Sequence, residues 1–400
     1  MKLRVCYKDR HIGNLETTAR KGIEFSYTSE ATAPISISMP DLDHVYSEKE
    51  CLPFFEGLLP EGEIRRQIAE FAHVPATSVM KLLEKYGADI AGALVISVEG
   101  PDREEQSGYE EISAEEISRK ISQKSRIPMI VSDERIRLSL AGAENKIPVL
   151  YMDGKFWLPY GNAASSHIIK ATDEFVENEY ICNRMAFHSG LNVPQMRIVD
   201  FAGKTALLIT RFDRVMDDEG VVTRLHQEDF CQALGFMSKN KYEENGGPGL
   251  QTSISLIRNN SDAPIADYNS FLEMAVFNYI LGNCDAHAKN FSILYDDVLK
   301  RKRLAPFYDV ICSSIYEQFD KSLAMRVGKH RELNRITAFD FETISSKRLA
   351  DGIIDQLVSL FPTAVESVRE ELPDRMHPLL DEIVSDANSR ISRIRTAKNP

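Results

Sequence analysis

The sequence predicts an α+β fold of two lobes. A mixed N-terminal lobe carries an additional small β/α sub-domain, and the C-terminal lobe is mostly helical. Three observations predict this. Apolar residues in 147–152 and 155–160 flank Asp153-Gly154, a dipeptide suited to the positive φ angles of a two-residue hairpin turn. A short strand over 166–170, ending in Lys170, precedes a helical segment over 174–189, with Gly190 placed to end it and Pro194 just beyond. From residue 271 onward, helical spacing dominates: Phe271, Leu272, Ala275, Val276, Tyr279 and Ile280 recur on one face, and the tail over 341–394 keeps the period, with Pro362 and Pro373 as expected breakpoints.

The elements before the hairpin form the sub-domain. Residues 3–7, 22–27 and 35–39 read as short strands, 54–72 and 77–86 as helices, and 91–98 as a buried strand. Residues 99–116 are acidic and contain Gly100-Pro101 and Ser107-Gly108, so they read as a linker. Ser113 and Glu116 make a capping-box pattern for a short helix. The expected organisation is a sub-domain over 1–100, a linker and short helix over 101–130, the core of the N-terminal lobe over 131–213, and a helical lobe over 214–400.

Chemistry concentrates after the helix that contains Phe271. Asn269 or Ser270 can cap its start and Gly282 its end, so it delivers the chain into a polar loop at Asn283. Asp285 stands five residues before Asn290; a strand-like run over 291–295, a polar turn and a second apolar run end at Asp309. Protein kinases use this order: an Asp accepts the proton of the acceptor hydroxyl, and the Asn and a later Asp hold Mg²⁺. An amide and a carboxylate are hard oxygen ligands that suit that ion. His287 beside two aspartates also permits a metal-dependent phosphohydrolase, although no second histidine lies near in sequence. Cys284, next to Asp285, reads as a small packing residue.

A kinase must also hold nucleotide. Lys170, on a strand followed by a glutamate-bearing helix, is the candidate phosphate grip. On a helical wheel Glu177 falls within the apolar face of Val176, Tyr180, Ile181, Met185 and Phe187, whereas Glu179 falls outside, so Glu177 is the favoured partner. The chain contains no G-x-G-x-x-G or G-x-x-x-x-G-K-[ST] loop. Small residues just before the hairpin, from Ser139 through Ala141, Gly142, Ala143, Glu144, Asn145 and Lys146, would let backbone N–H groups approach phosphate oxygens.

These segments, together with Arg211-Phe212-Asp213-Arg214, Leu225 to Phe230, Gly246-Gly247-Pro248-Gly249, Asp285 to Phe291 and Pro306-Phe307-Tyr308-Asp309, resemble HipA-type serine/threonine kinases, the toxins of bacterial type II toxin–antitoxin modules. The resemblance covers essentially the whole chain in order and implies a two-lobed protein-kinase-like fold using ATP and Mg²⁺. It implies Asp285 as the base and Asn290 and Asp309 as magnesium ligands. The nucleotide contacts it implies are Lys170, the loop from Ala141 to Lys146, His287, Lys289 and Tyr308, with Thr210, Arg211 and Phe212 as the adenine-side hinge. Ser139 would be the serine whose autophosphorylation shuts the enzyme off. Implied partners are a protein substrate such as an aminoacyl-tRNA synthetase, and a small helix-turn-helix antitoxin through which alone the chain would reach DNA. The sequence departs from the pattern at Glu144-Asn145, where many members have Gln-Glu, and at Thr210, where many have an acid. A co-repressor scaffold with weak catalysis is the alternative within this resemblance.

Bulk properties agree with such an enzyme. The chain has 400 residues, 43% hydrophobic and 27% charged, which are globular values. Its net charge of −12 argues against direct, strong binding to nucleic acid or anionic membrane. Six scattered cysteines without a C-x-x-C pair suggest a reducing compartment and no zinc site. Without an apolar signal core or a run long enough to cross a bilayer, the expected location is the cytoplasm.

Overall fold

The computed structural model describes residues 1–19, 22–98, 107–122, 146–171 and 175–396. In chain order the first elements are β1 (Lys2–Tyr7), β2 (Arg10–Thr17), β3 (Ile23–Tyr27), β4 (Val45–Ser47), α1 (Glu48–Gly57), α2 (Gly62–Phe71), α3 (Val79–Tyr86) and β5 (Leu94–Val98). There follow β6 (Gly108–Ile112), α4 (Ala114–Ser122), β7 (Lys146–Met152), β8 (Lys155–Tyr160), β9 (His167–Lys170), α5 (Val176–His188), β10 (Met196–Phe201) and β11 (Lys204–Thr210). Then come β12 (Arg214–Met216), β13 (Val222–Arg224), β14 (Gln227–Asp229), α6 (Phe230–Leu234), α7 (Leu250–Asn260), α8 (Pro264–Leu281), β15 (Ser292–Tyr295) and β16 (Lys302–Leu304). The last are β17 (Ser322–Val327), β18 (His330–Glu332), α9 (Ala338–Glu342), α10 (Lys347–Glu371) and α11 (His377–Thr396). Two compact units result: Met1–Asp173 with Met196–Ser238 and Ile293–Lys302, and Glu174–Gln195 with Lys239–Ser292 and Arg303–Pro400.

In the first unit, strict alternation in β1 buries Leu3, Val5 and Tyr7 on one face of a five-stranded sheet ordered β4-β3-β2-β1-β5. Residues 35–39, expected as a strand, are not one. Their backbone donors are met by side chains instead: Tyr27 Oη accepts from the N–H of Ile35 at 3.0 Å, and the Glu228 carboxylate accepts from that of Ile37 at 2.9 Å. That leaves no ladder for a neighbouring strand to complete. β2 was hidden in sequence by His11, Gly13 and Asn14, which weaken its alternation. The helix expected over 54–72 is two helices, separated by Pro60 and by Gly62 at φ +54°.

The second sheet of this unit runs β10-β11-β9-β7-β8-β6. Asp153 at φ +52° and Gly154 at φ +80° form the hairpin turn that their sequence predicts. Ile147, Val149, Ile169, Phe201 and Leu208 pack with Ile117 of α4 into its core. Residues 108–112, read as part of a linker, instead pair with β8 as the edge strand, and the Ser113–Glu116 capping box starts α4 as expected. An edge strand tolerates the acidic side chains of Glu110 and Glu111 because one flank faces water.

Buried charge joins the sub-domain to this sheet. Asp89, fully buried, accepts from Arg214 Nη2 at 2.7 Å and from Ser165 Oγ at 2.6 Å, and lies 3.4 Å from Arg211 Nη1. Asp213 takes Arg211 Nη2 and the N–H of Gly92, each at 2.8 Å. Burial alone would raise the Asp89 carboxyl, but Arg214, Arg211 and Arg224 outweigh it and lower its pKa from 3.8 to about 2.

The second unit is helical apart from the β17–β18 hairpin and its loops. α5 packs on α10, where Arg184 Nε donates to Glu371 at 2.7 Å, and α8 packs on α7, α10 and α11. α10 continues through Pro362, an expected breakpoint, and ends before Pro373, the other one. Its stripe of Ile354, Leu357, Phe361, Ala364 and Val368 is buried on both sides of the proline, so packing outweighs a penalty of about 3 kcal/mol. No helix among the described residues is long and apolar enough to cross a membrane.

Replacing Asp89 with Asn removes one of the two carboxylates that serve the buried Arg211 and Arg214, leaving Asp213 alone to face both, and is expected to cost about 3–5 kcal/mol, read by denaturant unfolding. Because the folded pKa lies below the unfolded value, the stabilisation is complete above about pH 4 and lost as pH falls through 2. The gap between wild type and variant should therefore narrow over that interval.

Candidate active site

The catalytic-loop candidate grows out of α8. The helix begins at Pro264 rather than near Asn269, because proline is preformed for the first helical position, and it ends at Gly282 with φ +75°. Any other residue there would be strained, and a Cβ would sit 1.9 Å from Ser314 Oγ and 2.7 Å from Arg390 Nη2. Beyond Gly282 the chain closes on itself. Asn283 Oδ1 accepts from the N–H of Asp285 at 3.2 Å. The Asp285 carbonyl then accepts from the N–H of His287 at 2.8 Å and from Asn290 Nδ2 at 3.0 Å. With its Nδ2 so committed, Asn290 has its amide oxygen to present to a cation.

Two neighbouring segments hold this turn. Ser313 Oγ accepts the N–H of Cys284 at 2.8 Å, and the N–H of Ser314 donates to the Gly282 carbonyl at 3.0 Å. Tyr308 Oη donates to the Lys289 carbonyl at 2.7 Å and lies 2.8 Å from Ser292 Oγ, tying the residue before Asp309 to the residue before Asn290. Asp309 itself has φ +53°, a conformation uncommon for a residue other than glycine. Tyr242 Oη donates to Asp285 Oδ1 at 2.6 Å.

Electrostatics separate the candidates. His287 is 5% exposed, and burial, with Lys241 and Lys289 nearby, presses its pKa down to about 3. Its ring is therefore neutral near pH 7, and Nδ1 has no hydrogen-bond partner among the described residues. Burial pushes the Cys284 thiol up to about 11, which removes it as a nucleophile and agrees with a packing role. Among the described residues no group of three or more His, Cys, Asp or Glu lies close enough together to hold a metal ion. An amide and a carboxylate oxygen, such as Asn290 and Asp309 carry, are hard donors of the kind Mg²⁺ takes.

In the first unit Lys146 and Lys170 stand directly opposite each other on β7 and β9. Thr210 ends β11, and the N–H of Arg211 donates to the Ser166 carbonyl at 3.0 Å. The Arg211 guanidinium is buried against Asp213 and Asp89. Ser139, Ala141, Gly142, Ala143, Glu144 and Asn145 lie outside the described residues. The helical wheel misjudged α5: Glu177 is paired with Arg375, while Glu179 is 1% exposed. α5 is buried on most of its circumference, so an apolar-face argument had little to discriminate. Tyr242 was not singled out in sequence, because nothing links residue 242 to residue 285 before the chain folds.

Comparison with known proteins identifies the family. Residues 138–365 match the HipA-like C-terminal domain and residues 3–97 the HipA N-terminal domain. The chain is 35% identical to the putative kinase Y4mE of Sinorhizobium fredii, over 93% of each chain. It is 31% identical to the serine/threonine-protein kinase toxin HipA of Shewanella oneidensis, over 85% of this chain and 82% of that one. The structure of Shewanella oneidensis HipA in complex with HipB and operator DNA superposes with a TM-score of 0.87, covering 98% of this chain and 97% of that one at 28% identity.

Gly282→Ala should lower stability by at least about 1–2 kcal/mol from the left-handed backbone alone. The added Cβ should also displace Ser314. A fall in thermal midpoint together with a fall in turnover is the expected result.

Proposed function

The chain belongs to the HipA family of kinases, and we propose that it is an ATP- and Mg²⁺-dependent serine/threonine kinase serving as the toxin of a toxin–antitoxin pair. One observation carries the proposal: Asp285 and Asn290 share a single closed turn, and Tyr308 ties that turn to the segment bearing Asp309. Asp285 is the proposed base. It takes the acceptor hydroxyl's proton as that oxygen bonds the γ-phosphorus, and the bond from phosphorus to the bridging oxygen breaks to release ADP. Bound at Asn290 and Asp309, Mg²⁺ would offset charge building on the phosphate oxygens. The neutral His287 is proposed to shape the loop rather than to move protons. Tyr308, whose hydroxyl is engaged with Lys289 and Ser292, is proposed to hold the loop more than the nucleotide.

Lys170 on β9 is the proposed phosphate grip, and Lys146 stands opposite it on β7. The proposed hinge, Thr210 to Phe212, acts through backbone, since the Arg211 side chain serves the Asp89 cluster. Ser139 is the proposed autophosphorylation site and Ala141 to Lys146 the proposed phosphate loop. The Shewanella oneidensis relative is found with HipB on operator DNA. By analogy a small helix-turn-helix antitoxin is the proposed partner, supplying the DNA contacts that a chain of net charge −12 lacks. A translation protein such as an aminoacyl-tRNA synthetase is the proposed substrate.

Incubation with γ-labelled ATP and Mg²⁺ should place phosphate on the peptide containing Ser139, detected by mass spectrometry. Asp285→Asn should lower incorporation by about 10²–10⁴-fold without changing the thermal midpoint. Label appearing only as inorganic phosphate, or near-normal incorporation by the variant, would refute the assignment.

A further inference from the structure

We infer that Tyr242 is a positioning residue for Asp285, and that the turn built on Gly246-Gly247-Pro248-Gly249 seats it; the inference rests on Asp285 being the base. The phenol hydrogen bond to Asp285 Oδ1 is 2.6 Å, the length of a charge-assisted O–H···O⁻ contact. It engages Oδ1 and limits the carboxylate's rotation.

The loop around Tyr242 is built to hold that hydroxyl in place. The Tyr242 carbonyl accepts from the N–H groups of Asn245 at 3.1 Å and Gly247 at 3.0 Å. Gly246 has φ +81°, and a Cβ on Gly247 would lie 1.8 Å from the Asn240 carbonyl oxygen, so neither position accepts a side chain without rebuilding the turn. Asn240 Nδ2 crosses the loop to the Asn245 carbonyl at 2.8 Å. The next side chain, Glu243, accepts the N–H of Arg326 in β17. The loop also grips the catalytic turn twice: the N–H of Ala288 donates to the Lys241 carbonyl at 3.3 Å, and the Tyr242 ring meets His287 edge-on, with centroids 5.0 Å apart at 89°. His287, neutral and buried, thus serves as a wall for the ring that carries the hydroxyl. The glycine-rich segment Gly246–Gly249 is committed here to holding a tyrosine.

Tyr242→Phe keeps the ring against His287 and removes only the hydroxyl. With ATP varied and myelin basic protein as acceptor, it should lower kcat about 10–100-fold while leaving the KM for ATP within about twofold. A side chain needed only for packing would tolerate this change, so wild-type kcat in Tyr242→Phe overturns the inference. Retained thermal midpoint and ATP affinity establish that the variant is folded; a rise in KM without loss of kcat also overturns it. Asp285→Asn, assayed in parallel, separates the two claims. If it stays active the base assignment fails, whereas a dead Asp285→Asn beside a fully active Tyr242→Phe removes only the role of Tyr242. In the double variant the loss should not exceed that of Asp285→Asn alone, because both changes act through one carboxylate.

Discussion

The second unit depends on one stitch of hydrogen bonds between the turn after α8 and the segment after Asp309. The Gly282 carbonyl accepts from the N–H of Ser314 and from Ser313 Oγ, and that same hydroxyl accepts the N–H of Cys284. Three helices converge on it. Asn178 of α5 exchanges two hydrogen bonds with the backbone of Cys312, at 2.8 and 3.1 Å. Asp386 of α11 accepts from Ser314 Oγ, and Arg390 of α11 donates to Asp386 at 2.7 Å and to the Ile280 carbonyl, at the end of α8, at 2.9 Å. Buried polar networks of this kind are favourable only when every member is satisfied. The stitch therefore fixes where Asp285 lies relative to α5, α8 and α11, and no glycine substitute fits at its centre.

That arrangement explains why the site needs so few chemical groups of its own. Phosphoryl transfer asks the protein for position and charge more than for covalent participation. Here position comes from backbone carbonyls. The carbonyl of Asp285 orients Asn290, and the carbonyl of Lys289 anchors Tyr308. Burial presses the His287 pKa down to about 3, so its ring is neutral near pH 7.

Much of this was legible in the sequence. Local rules located the Asp153-Gly154 hairpin, the Gly282 stop, the Ser113–Glu116 cap and the spacing from Asp285 to Asn290, because each is decided within a few residues. Failures came where long-range partners decide. Residues 35–39 have apolar strand-like content, but their donors are claimed by Tyr27 and Glu228, the latter almost two hundred positions away. Pro362 breaks nothing, because packing on both sides holds α10. Glu177 and Glu179 were ranked from a wheel that has little to discriminate on a helix buried over most of its circumference. Arg211 pairs first with Asp213 of its own motif, but its guanidinium also reaches Asp89, a residue to which no motif drew attention.

The account turns on whether Asn290 and Asp309 share one cation beside Asp285. Anomalous diffraction from crystals grown with Mn²⁺ and a non-hydrolysable ATP analogue measures this directly. The expected result is a metal peak about 2.1 Å from both Asn290 Oδ1 and an Asp309 carboxylate oxygen, with the γ-phosphate turned toward Asp285. A peak coordinated by His287, or one that leaves Asn290 and Asp309 without metal, would contradict it.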